Sequence, residues 1–404
     1  MTFLYLFTLI SCLLFAVYGG LIAWYLRAWK SIPFFEHQRI PRTRISVIVP
    51  ARNEEQNIID CLNALDRQVY PKDRYEVIVI DDHSTDRTAA IVLEYAAGKA
   101  IPKQRPDLPS ILGESGAVSF SVRCIRLAEQ QNSVNRAAHK KWAIETGISA
   151  ASGDLVVATD ADCIAHPGWL STIAAFYEEK DAKFIAAPVR ISGGRPTFLT
   201  IFQTLDFITL QGITGAAVFR KFHSMCNGAN LAYEKKAFYE VGGFSGIDSI
   251  PSGDDMLLMH KIYLKYPDQV FFLKHRHAIV STKPETRWKG FFNQRIRWAS
   301  KADRYDDKRI FWVLLLVYIV NLLFAGLLVA SFWNSWWLWI LLLLLMVKTI
   351  IEYPFVRSVA GFFEQQRLMV YFAVLQPFHI LYTIVVGWLG KFGSYRWKDR
   401  KISK

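Results

Sequence analysis

Short apolar runs alternate with helical stretches through the middle of the chain. The runs at 45–49, 75–80, 122–127, 155–159 and 184–189 are rich in β-branched residues and predict strands. Helices are predicted between them at 54–67, 85–97 and 137–152, and a Pro- and Gly-containing surface loop at 98–118. This alternation predicts an α/β domain over residues 44–282, with a mostly parallel sheet and helices on both faces.

Four longer apolar runs flank this region and predict transmembrane helices. Residues 1–26 carry no charge, which is enough to span a hydrocarbon core of about 30 Å. A retained anchor is favoured over a cleaved signal peptide, because no basic residues precede the run and it is too long. The other runs lie within residues 311–390, at 311–333, 336–351 and 368–389, with Trp side chains near their ends.

The formal net charge of +13 is concentrated beside these runs. A linker at 27–43, a segment at 283–310 and a tail at 391–404 carry most of the excess of Lys and Arg, so the α/β region is close to neutral. A nucleic-acid partner therefore has little support, and attraction to membrane lipid is favoured. The five cysteines are scattered without a CxxC pair, which disfavours a disulfide or zinc framework.

The basic segments also predict orientation. They place the α/β domain in the cytoplasm and the N-terminus outside. Three further crossings would put the basic tail outside, against the same rule. Either one C-terminal segment does not cross fully or the rule fails at the tail.

Carboxylates follow several of the predicted strands, and the carboxyl ends of parallel strands are where open α/β sheets bind ligands. Asp82 follows the second strand, and Asp160 and Asp162 follow the fourth. Such oxygen ligands suit Mg²⁺ or Mn²⁺ with a diphosphate completing the sphere. A lone DxD is more often a solvated turn, but its position after an apolar strand, with Asp82 at the end of another, favours a metal site. No GxGxxG or GxxxxGK[ST] motif is present, so dinucleotide and P-loop binding lose their main support.

Asp254 and Asp255 precede a predicted helix at 256–263. Capping that helix needs one of them, and Asp254 would serve. The second carboxylate exceeds what capping requires and is a candidate general base toward an acceptor hydroxyl.

With these residues in place, the chain resembles the family 2 glycosyltransferases, in particular the membrane-embedded processive synthases of cellulose, hyaluronan, chitin and poly-N-acetylglucosamine. The matching segments stand in the family's order: 46–54 (SVIVPARNE), 79–86 (VIDDHSTD), 140–144 (KKWAI), 159–162 (TDAD), 227–231 (NGANL), 241–244 (VGGF), 253–255 (GDD) and 294–298 (QRIRW). The resemblance implies a single nucleotide-diphospho-sugar-binding domain of the GT-A type, which is Rossmann-like, joined to transmembrane helices.

The resemblance also implies roles for individual residues. Donor binding falls to Ala51, Glu54, Asp82, Asp160 and to Lys140 or Lys141. Asp160 and Asp162 would flank the Mg²⁺ or Mn²⁺, with Asp162 favoured as the direct ligand. Asp255 would be the catalytic base, with Asp254 as a second candidate because Gly-Asp-Asp stands where many members have Thr-Glu-Asp. Acceptor and diphosphate contacts fall to Gln294, Arg297, Trp298, Asn227, Gly228 and Asn230.

The QRIRW segment supports a second interpretation. It lies in the basic segment before the second apolar run, where an amphipathic interfacial helix would place Arg on anionic lipid and Trp in the membrane boundary. Both interpretations can hold for different residues of one helix.

The sequence thus predicts an inverting glycosyltransferase in a bacterial inner membrane. It would use a nucleotide-diphosphate sugar, preferably a UDP-sugar. Extension of a polysaccharide is favoured by the QxxRW motif, whereas the compact membrane portion keeps transfer of one sugar to a membrane lipid open. A non-catalytic membrane-anchored binding protein is the third hypothesis, and the intact carboxylates count against it.

Overall fold

The computed structural model describes residues 2–37, 40–98, 121–129, 138–222, 225–248, 250, 253–300, 308–393, 395–397 and 400–402. Its α-helices are α1 (Thr2–Ser31), α2 (Ile58–Asp66), α3 (Thr88–Ala96), α4 (His139–Ala150), α5 (Trp169–Lys180), α6 (Phe198–Phe219), α7 (Lys235–Glu240), α8 (Met256–Lys265), α9 (Trp288–Ala299), α10 (Lys308–Ala330), α11 (Trp336–Phe362) and α12 (Phe372–Phe392).

The strands are β1 (Ile45–Ala51), β2 (Tyr75–Asp81), β3 (Ser121–Arg126), β4 (Leu155–Ala158), β5 (Ile164–Ala165), β6 (Phe184–Ala186), β7 (Val189–Ile191), β8 (Leu231–Glu234), β9 (Val270–Phe272), β10 (Val280–Thr282), β11 (Tyr395–Trp397) and β12 (Arg400–Ile402). The chain forms two compact units. The sheet unit comprises Pro33–Arg190 and Met225–Lys283, and the helical unit comprises Met1–Ile32, Ile191–Ser224 and Pro284–Lys404.

A seven-stranded sheet in the order β3-β2-β1-β4-β8-β6-β9 is the centre of the sheet unit. β1 pairs in parallel with both β2 and β4, and β2 pairs in parallel with β3. The apolar side chains of β1, β2 and β4 are almost fully buried, as expected for parallel strands covered on both faces. The α/β class with a mostly parallel sheet is confirmed.

The far half of the sheet departs from the sequence prediction. The expected strand at 184–189 is two strands, because β6 ends before Pro188 and β7 joins β5 and β10 in a second sheet. Proline has no N–H to continue a ladder, which explains the break. β8 runs antiparallel to both β4 and β6, a reversal that the run of apolar residues did not predict.

Two predicted helices begin later than expected. α2 starts at Ile58, because the backbone N–H groups of Asn57 and Ile58 first turn back to the carbonyl of Glu54. α3 starts at Thr88, where the Asp86 carboxylate accepts hydrogen bonds from the Thr88 N–H and hydroxyl at 3.0 and 2.5 Å. The Asp86 side chain thus satisfies the N–H of the first residue of α3, while the N-cap residue Arg87 makes no side-chain cap.

Four helices of the helical unit are long and apolar enough to cross a membrane: Tyr5–Ser31, Arg309–Ala330, Trp336–Phe362 and Gln366–Phe392. The third is longer than the predicted run at 336–351, since the helix continues through Pro354 for 27 residues in all. Neither the third nor the fourth is too short to cross. The structure thus supports membrane-spanning helices on both sides of the sheet unit in the sequence.

α6 is the main element that the sequence analysis missed. This 22-residue helix begins with a capping box between Thr197 and Thr200, and fourteen of its residues are buried. Gly212 packs directly on Val359 of α11, so any larger residue there would clash. Residues 191–224 therefore group with the membrane helices, although the predicted α/β domain ran without interruption from 44 to 282.

A polar network joins three helices inside the helical unit. The Lys348 ammonium lies 2.7 Å from Glu352 and donates to Gln376 at 2.8 Å, and Gln376 donates to the other Glu352 oxygen at 2.6 Å. Tyr18 of α1 donates to Glu352 as well. Charged groups in an apolar surrounding are tolerated when they satisfy one another in this way.

Some predicted features lie outside the described residues. These are nearly all of the 98–118 loop, residues 301–307 of the predicted interfacial segment, and parts of the basic tail. Within the tail, β11 and β12 pair as a short antiparallel ladder from Tyr395–Ile402 to Trp397–Arg400.

Candidate active site

The carboxyl ends of β1, β2 and β4 form one edge of the sheet, because these strands are parallel and in register. Ala51 lies opposite Asp81 at this edge, and its carbonyl accepts a hydrogen bond from the Asp82 N–H at 2.8 Å. Ala51 is 1% exposed, so a ligand could contact its backbone but little of its side chain. The predicted donor residues of β1 and β2 are therefore brought together.

Asp82 is a buried carboxylate surrounded by cationic or ionisable groups. Its Oδ1 lies 2.9 Å from Nδ1 of His83, 3.8 Å from Nδ1 of His139 and 4.0 Å from the Arg52 guanidinium. Arg52 also donates to the Asp82 carbonyl at 2.9 Å. Asp82 is therefore held in one orientation, which suits a group that reads a ligand by hydrogen bonding.

Glu54 holds the turn after β1. Its carboxylate accepts from the Asn57 side chain at 2.8 Å, and its backbone N–H donates to the Thr88 hydroxyl at 2.8 Å. Lys283 donates to the Asn57 amide oxygen at 2.6 Å. Glu54 thus stands beside the sheet edge, where part of its hydrogen-bonding capacity maintains the loop.

The structure separates the two adjacent lysines. Lys140 places its ammonium 2.8 Å from Asp160 and 3.5 Å from Asp254. Burial alone would lower the pKa of Lys140, but the carboxylates of Asp160 and Asp254 outweigh it and hold the pKa above its ordinary value. Lys140 is therefore a permanent cation between two acidic segments.

Lys141 points elsewhere. It is 3% exposed and donates to the backbone carbonyls of Ile247 and Ile250 at 2.6 and 2.7 Å. These bonds tie α4 to the turn that leads toward Asp254. Of the two lysines that the sequence left open, Lys140 lies against the carboxylates of Asp160 and Asp254.

The two carboxylates after β4 differ in their surroundings. Asp160 pairs with Lys140, whereas Asp162 accepts from the Thr282 hydroxyl at 3.2 Å and lies 3.6 Å from the Cys163 sulfur. Among the described residues, no group of three or more His, Cys, Asp and Glu side chains is arranged to hold a metal. Two carboxylates nevertheless suit Mg²⁺ or Mn²⁺, since such ions are often held by one or two carboxylates together with substrate phosphates.

Asp255 caps α8. Its Oδ1 accepts the Met256 N–H at 2.8 Å and the residue is 8% exposed. The sequence analysis gave the capping role to Asp254, and this is wrong, because Asp254 instead lies beside Lys140. The Asp255 carboxylate thus lies at the N-terminus of α8, with one oxygen held by the first N–H of the helix.

Gly228 occupies the narrow space between these groups. A Cβ there would lie 3.2 Å from the Lys140 ammonium, 3.3 Å from Asp254 and 3.7 Å from Cβ of Asp255. The neighbouring Asn227 uses its side-chain oxygen to accept the Ala229 N–H at 3.0 Å. This loop lines the acidic centre, and only a residue without a side chain leaves the centre undisturbed.

Asn230 has a structural position instead. It is fully buried, accepts from the Trp169 indole at 3.0 Å, and donates to the carbonyls of Pro188 and Ala278 at 2.7 Å each. Both N–H groups of its amide and one lone pair of its oxygen are used in these contacts, and its role toward the acceptor or diphosphate stays a prediction. Asn230 joins α5 to the loops before β7 and β10.

Comparison with known families decides the classification. A family model described as "Glycosyl transferase family group 2" matches residues 155–389, and one described as "Glycosyl transferase family 2" matches residues 46–107. The chain belongs to the family 2 glycosyltransferases. The resemblance inferred from the eight motifs is confirmed at the level of the family.

Two curated relatives of this family member illustrate its range. The "Probable glycosyltransferase YdaM" of Bacillus subtilis is 25% identical over 295 residues, covering 71% of this chain and 61% of the relative. The "Poly(ribitol-phosphate) beta-N-acetylglucosaminyltransferase TarS" of Staphylococcus aureus is 24% identical over 243 residues, covering 60% and 36%. The chain thus spans less than two thirds of these relatives.

Among solved structures, the fold is similar to a mannosyltransferase from Pyrobaculum calidifontis, PcManGT, in complex with GDP-Man and Mn²⁺. The match covers 92% of this chain and 98% of the other, with a TM-score of 0.57 and 20% identity. This likeness confirms the GT-A type of fold.

The QxxRW residues of this family member belong to the helical unit. Gln294, Arg297 and Trp298 lie on α9 and are all half-buried. Their neighbour Arg295, to which the motif assigned no role, is buried and lies 3.0 Å from Asp206 of α6.

The sequence analysis also overlooked groups in the sheet unit. His139 and Arg52 stand close to the Asp82 carboxylate, and Thr282 donates to Asp162. His139 directly precedes the two lysines at the start of α4, so its position in the chain was an available signal. Thr282 comes from β10, far along the sequence, and nothing local pointed to it.

Proposed function

We propose that this chain is a membrane-bound inverting glycosyltransferase that moves a sugar from a nucleotide-diphosphate sugar, preferably a UDP-sugar, to a growing polysaccharide. The observation that carries the proposal is the convergence of Asp160, Lys140 and Asp254 at the carboxyl edge of the sheet. Gly228 borders this ion-paired centre, and Asp255, which caps α8, lies beside Gly228 as well. The centre offers a cation for a diphosphate, and Asp255 offers a base.

In this proposal the nucleoside binds beside Asp82, with Ala51 and Glu54 shaping the edge of the sheet. Asp82 is held by Arg52 and His83, so it offers a fixed acceptor to a base or ribose. Lys140 stands at the other side as the cation that meets the diphosphate. Its single positive charge offsets part of the negative charge of Asp160 and Asp254 when no phosphate is bound.

Asp162, with Asp160 beside it, would hold Mg²⁺ or Mn²⁺. Such an ion, when bound, takes up negative charge that develops on the leaving diphosphate. Thr282 restrains one Asp162 oxygen through its hydroxyl, which limits the directions in which that carboxylate can point.

Asp255 removes the proton from the acceptor hydroxyl as that oxygen attacks the anomeric carbon opposite the diphosphate. One catalytic carboxylate is then enough, and the configuration inverts. The hydrogen bond that Asp255 accepts from the Met256 N–H of α8 keeps the carboxylate oriented during this step. Lys140 stabilises the departing diphosphate by its charge.

The acceptor is assigned to Gln294, Arg297 and Trp298 by the QxxRW resemblance, with Trp298 stacking on the sugar and Arg297 meeting the diphosphate. The same resemblance assigns Asn227 and Gly228 of the sheet unit to the acceptor or the diphosphate. The sheet unit would face the cytoplasm, with the helices in the inner membrane of a bacterial cell and in contact with its lipids.

A lipid acceptor is the second candidate. It is favoured by the small number of helices, four in the part of the chain described, that could cross a membrane. A short membrane portion leaves less room for a path along which a long polymer could pass. One transfer to a membrane lipid needs no such path.

The test uses full-length protein in detergent, a panel of nucleotide sugars and Mg²⁺ or Mn²⁺. We expect release of nucleotide diphosphate with one donor, loss of transfer in Asp255→Asn with donor binding retained, and loss of metal-dependent donor binding in Asp162→Ala. Asn also caps helices well, so Asp255→Asn removes the base without removing the cap. Asp268→Asn, an exposed turn position, is the matched control.

Each outcome has a defined meaning. No turnover of any donor by wild-type protein would overturn the proposal, as would wild-type turnover in Asp255→Asn. Labelled long polymer as product supports the polysaccharide acceptor, whereas a single organic-extractable glycolipid supports the lipid acceptor.

A further inference from the structure

A buried ion pair joins two helices of the helical unit. Arg295 of α9 places Nη2 3.0 Å from Oδ2 of Asp206 on α6, and their side chains are 1% and 7% exposed. The contact lies off the N–H direction, so charge rather than a directed hydrogen bond holds it. Two segments that are about ninety residues apart in sequence are thus joined by one charge pair.

The Arg295 guanidinium is enclosed by aromatic rings. Its carbon lies 4.2 Å from the ring centroid of Trp298, 5.2 Å from that of Phe291 and 5.9 Å from that of Phe207. Arg295 and Trp298 are three residues apart on α9, which places them on the same side of the helix. The shortest of the three contacts is therefore made with the tryptophan of the QxxRW motif.

Stability alone does not account for this pair. The Nε and Nη1 atoms of Arg295 have no hydrogen-bond partner among the described residues although they are buried. Burying such a charge costs several kcal/mol, and apolar side chains of similar volume often stabilise a protein at least as well. Arg295 gains instead a stacking contact whose geometry depends on the plane of the Trp298 ring.

We infer that Arg295, held by Asp206, is a positioning residue that sets the orientation of the Trp298 indole for the acceptor. The inference rests on the proposed function, in which the acceptor sugar stacks on Trp298. Asp206 fixes the guanidinium, and the guanidinium in turn fixes the ring. Arg295 itself need not touch the acceptor.

The pair can be removed without leaving a lone buried charge. The double variant Asp206→Leu with Arg295→Met removes both charges. No unpaired charge is then buried, so we expect the helical unit to fold. The matched control is the double variant Lys348→Met with Glu352→Gln, which removes a second buried ion pair of the same unit. Arg295→Lys keeps the charge and loses the planar stack.

Kinetics give the first readout. We expect the Asp206→Leu/Arg295→Met variant to raise the KM for the acceptor roughly tenfold, with the KM for the donor changed less than twofold. Arg295→Lys should fall between this variant and wild type, and the control pair should leave the acceptor KM within twofold of wild type. An unchanged acceptor KM in the Asp206→Leu/Arg295→Met variant would overturn the inference.

A second readout does not require turnover. In protein labelled with 5-fluorotryptophan, loss of one ¹⁹F resonance in Trp298→Phe identifies the Trp298 signal. That signal should shift or broaden in the Asp206→Leu/Arg295→Met variant and stay in place in the control pair. An unmoved Trp298 signal would refute the positioning role. Absence of donor turnover in wild type, with the signal shifting as expected, would refute the proposed function alone.

Discussion

The ammonium of Lys140 lies 2.8 Å from the carboxylate of Asp160, at the point where β4 ends and α4 begins. The same ammonium lies 3.5 Å from Asp254, so one cation connects two acidic segments that are more than ninety residues apart in the chain. A cation in this position offsets the repulsion between the carboxylates before any ligand binds. The same ammonium could also interact electrostatically with a bound diphosphate.

Replacing Lys140 by Met should weaken donor binding. We expect the donor KM to rise about tenfold or more, since a charge-assisted contact to phosphate is lost. Lys141→Met is the matched control, because Lys141 donates to the backbone carbonyls of Ile247 and Ile250. It should lower the melting temperature more than it raises the donor KM. The opposite pattern would show that the two lysines have been assigned the wrong way round.

Adding a methyl group at Gly228 should disturb the acidic centre. The new Cβ of Gly228→Ala would lie 3.2 Å from the Lys140 ammonium and 3.3 Å from Asp254, so one of them must move. We expect a rise in donor KM of about five- to tenfold, measured by release of nucleotide diphosphate. Gly20→Ala is the control, since a Cβ there meets nothing within 4 Å. Equal behaviour of the two variants would count against a tight site.

Asn230→Ala should act on stability. It leaves the Trp169 indole and the carbonyls of Pro188 and Ala278 without their partner, at a cost of about 2–4 kcal/mol in the free energy of unfolding. Thermal unfolding in detergent should show a clearly lowered midpoint. If Asn230→Ala melts like wild type but binds donor or acceptor poorly, the role implied by the family motif is right and the structural role is wrong.

Glu76 should make the sheet unit sensitive to acid. Burial would raise the pKa of Glu76, but hydrogen bonds from Ser152 and Ser46 and the Arg123 guanidinium outweigh it and hold the pKa below its usual 4.5. The folded-state pKa is depressed, so the stabilisation is complete above the unfolded value of 4.5 and is lost as the pH falls through the folded value.

At pH 7 we therefore expect Glu76→Gln to be less stable than wild type by about 1–2 kcal/mol. The difference between the two proteins should shrink as the pH falls below 4.5, and melting curves across this range measure it. A difference that stays constant with pH would mean that the carboxylate charge is not what Ser152 and Arg123 stabilise.

The polar network around Glu352 predicts that a single and a double variant differ in stability. Lys348→Met alone leaves the Glu352 carboxylate in an apolar surrounding without its nearest cation, whereas Lys348→Met with Glu352→Gln removes both charges. The single variant should be less stable than the double variant by about 2 kcal/mol or more. Melting in detergent distinguishes them, and a double variant less stable than the single would contradict the network.

Local patterns in the sequence were sufficient for the near half of the sheet. The continuous apolar runs of β1, β2 and β4 identify buried parallel strands, because such strands lose contact with water on both faces. The carboxylates after these strands could then be placed at one edge without knowledge of the fold. The same reasoning missed β8, because its four residues, Leu231–Glu234, are too short a run to stand out as a buried strand.

α6 shows a different limit. Its apolar side chains are interrupted by Asp206, Gln203 and Gln211, so it resembles neither a membrane span nor a surface helix. Its place in the helical unit depends on partners such as Arg295 of α9 and Val359 of α11, which lie far away in the sequence. Burial of a polar residue is decided by its partner, and the partner is visible only after folding.

The sequence by itself determined the α/β class, the apolar runs that could span a membrane, and the residue types of the site, because periodicity, hydropathy and motif order are local properties. The tertiary structure decided that Lys140 meets Asp160 and Asp254, that Asp255 caps α8, and which groups Asn230 hydrogen-bonds. These choices depend on side-chain directions and on contacts between distant segments. Such contacts exist only in the folded chain.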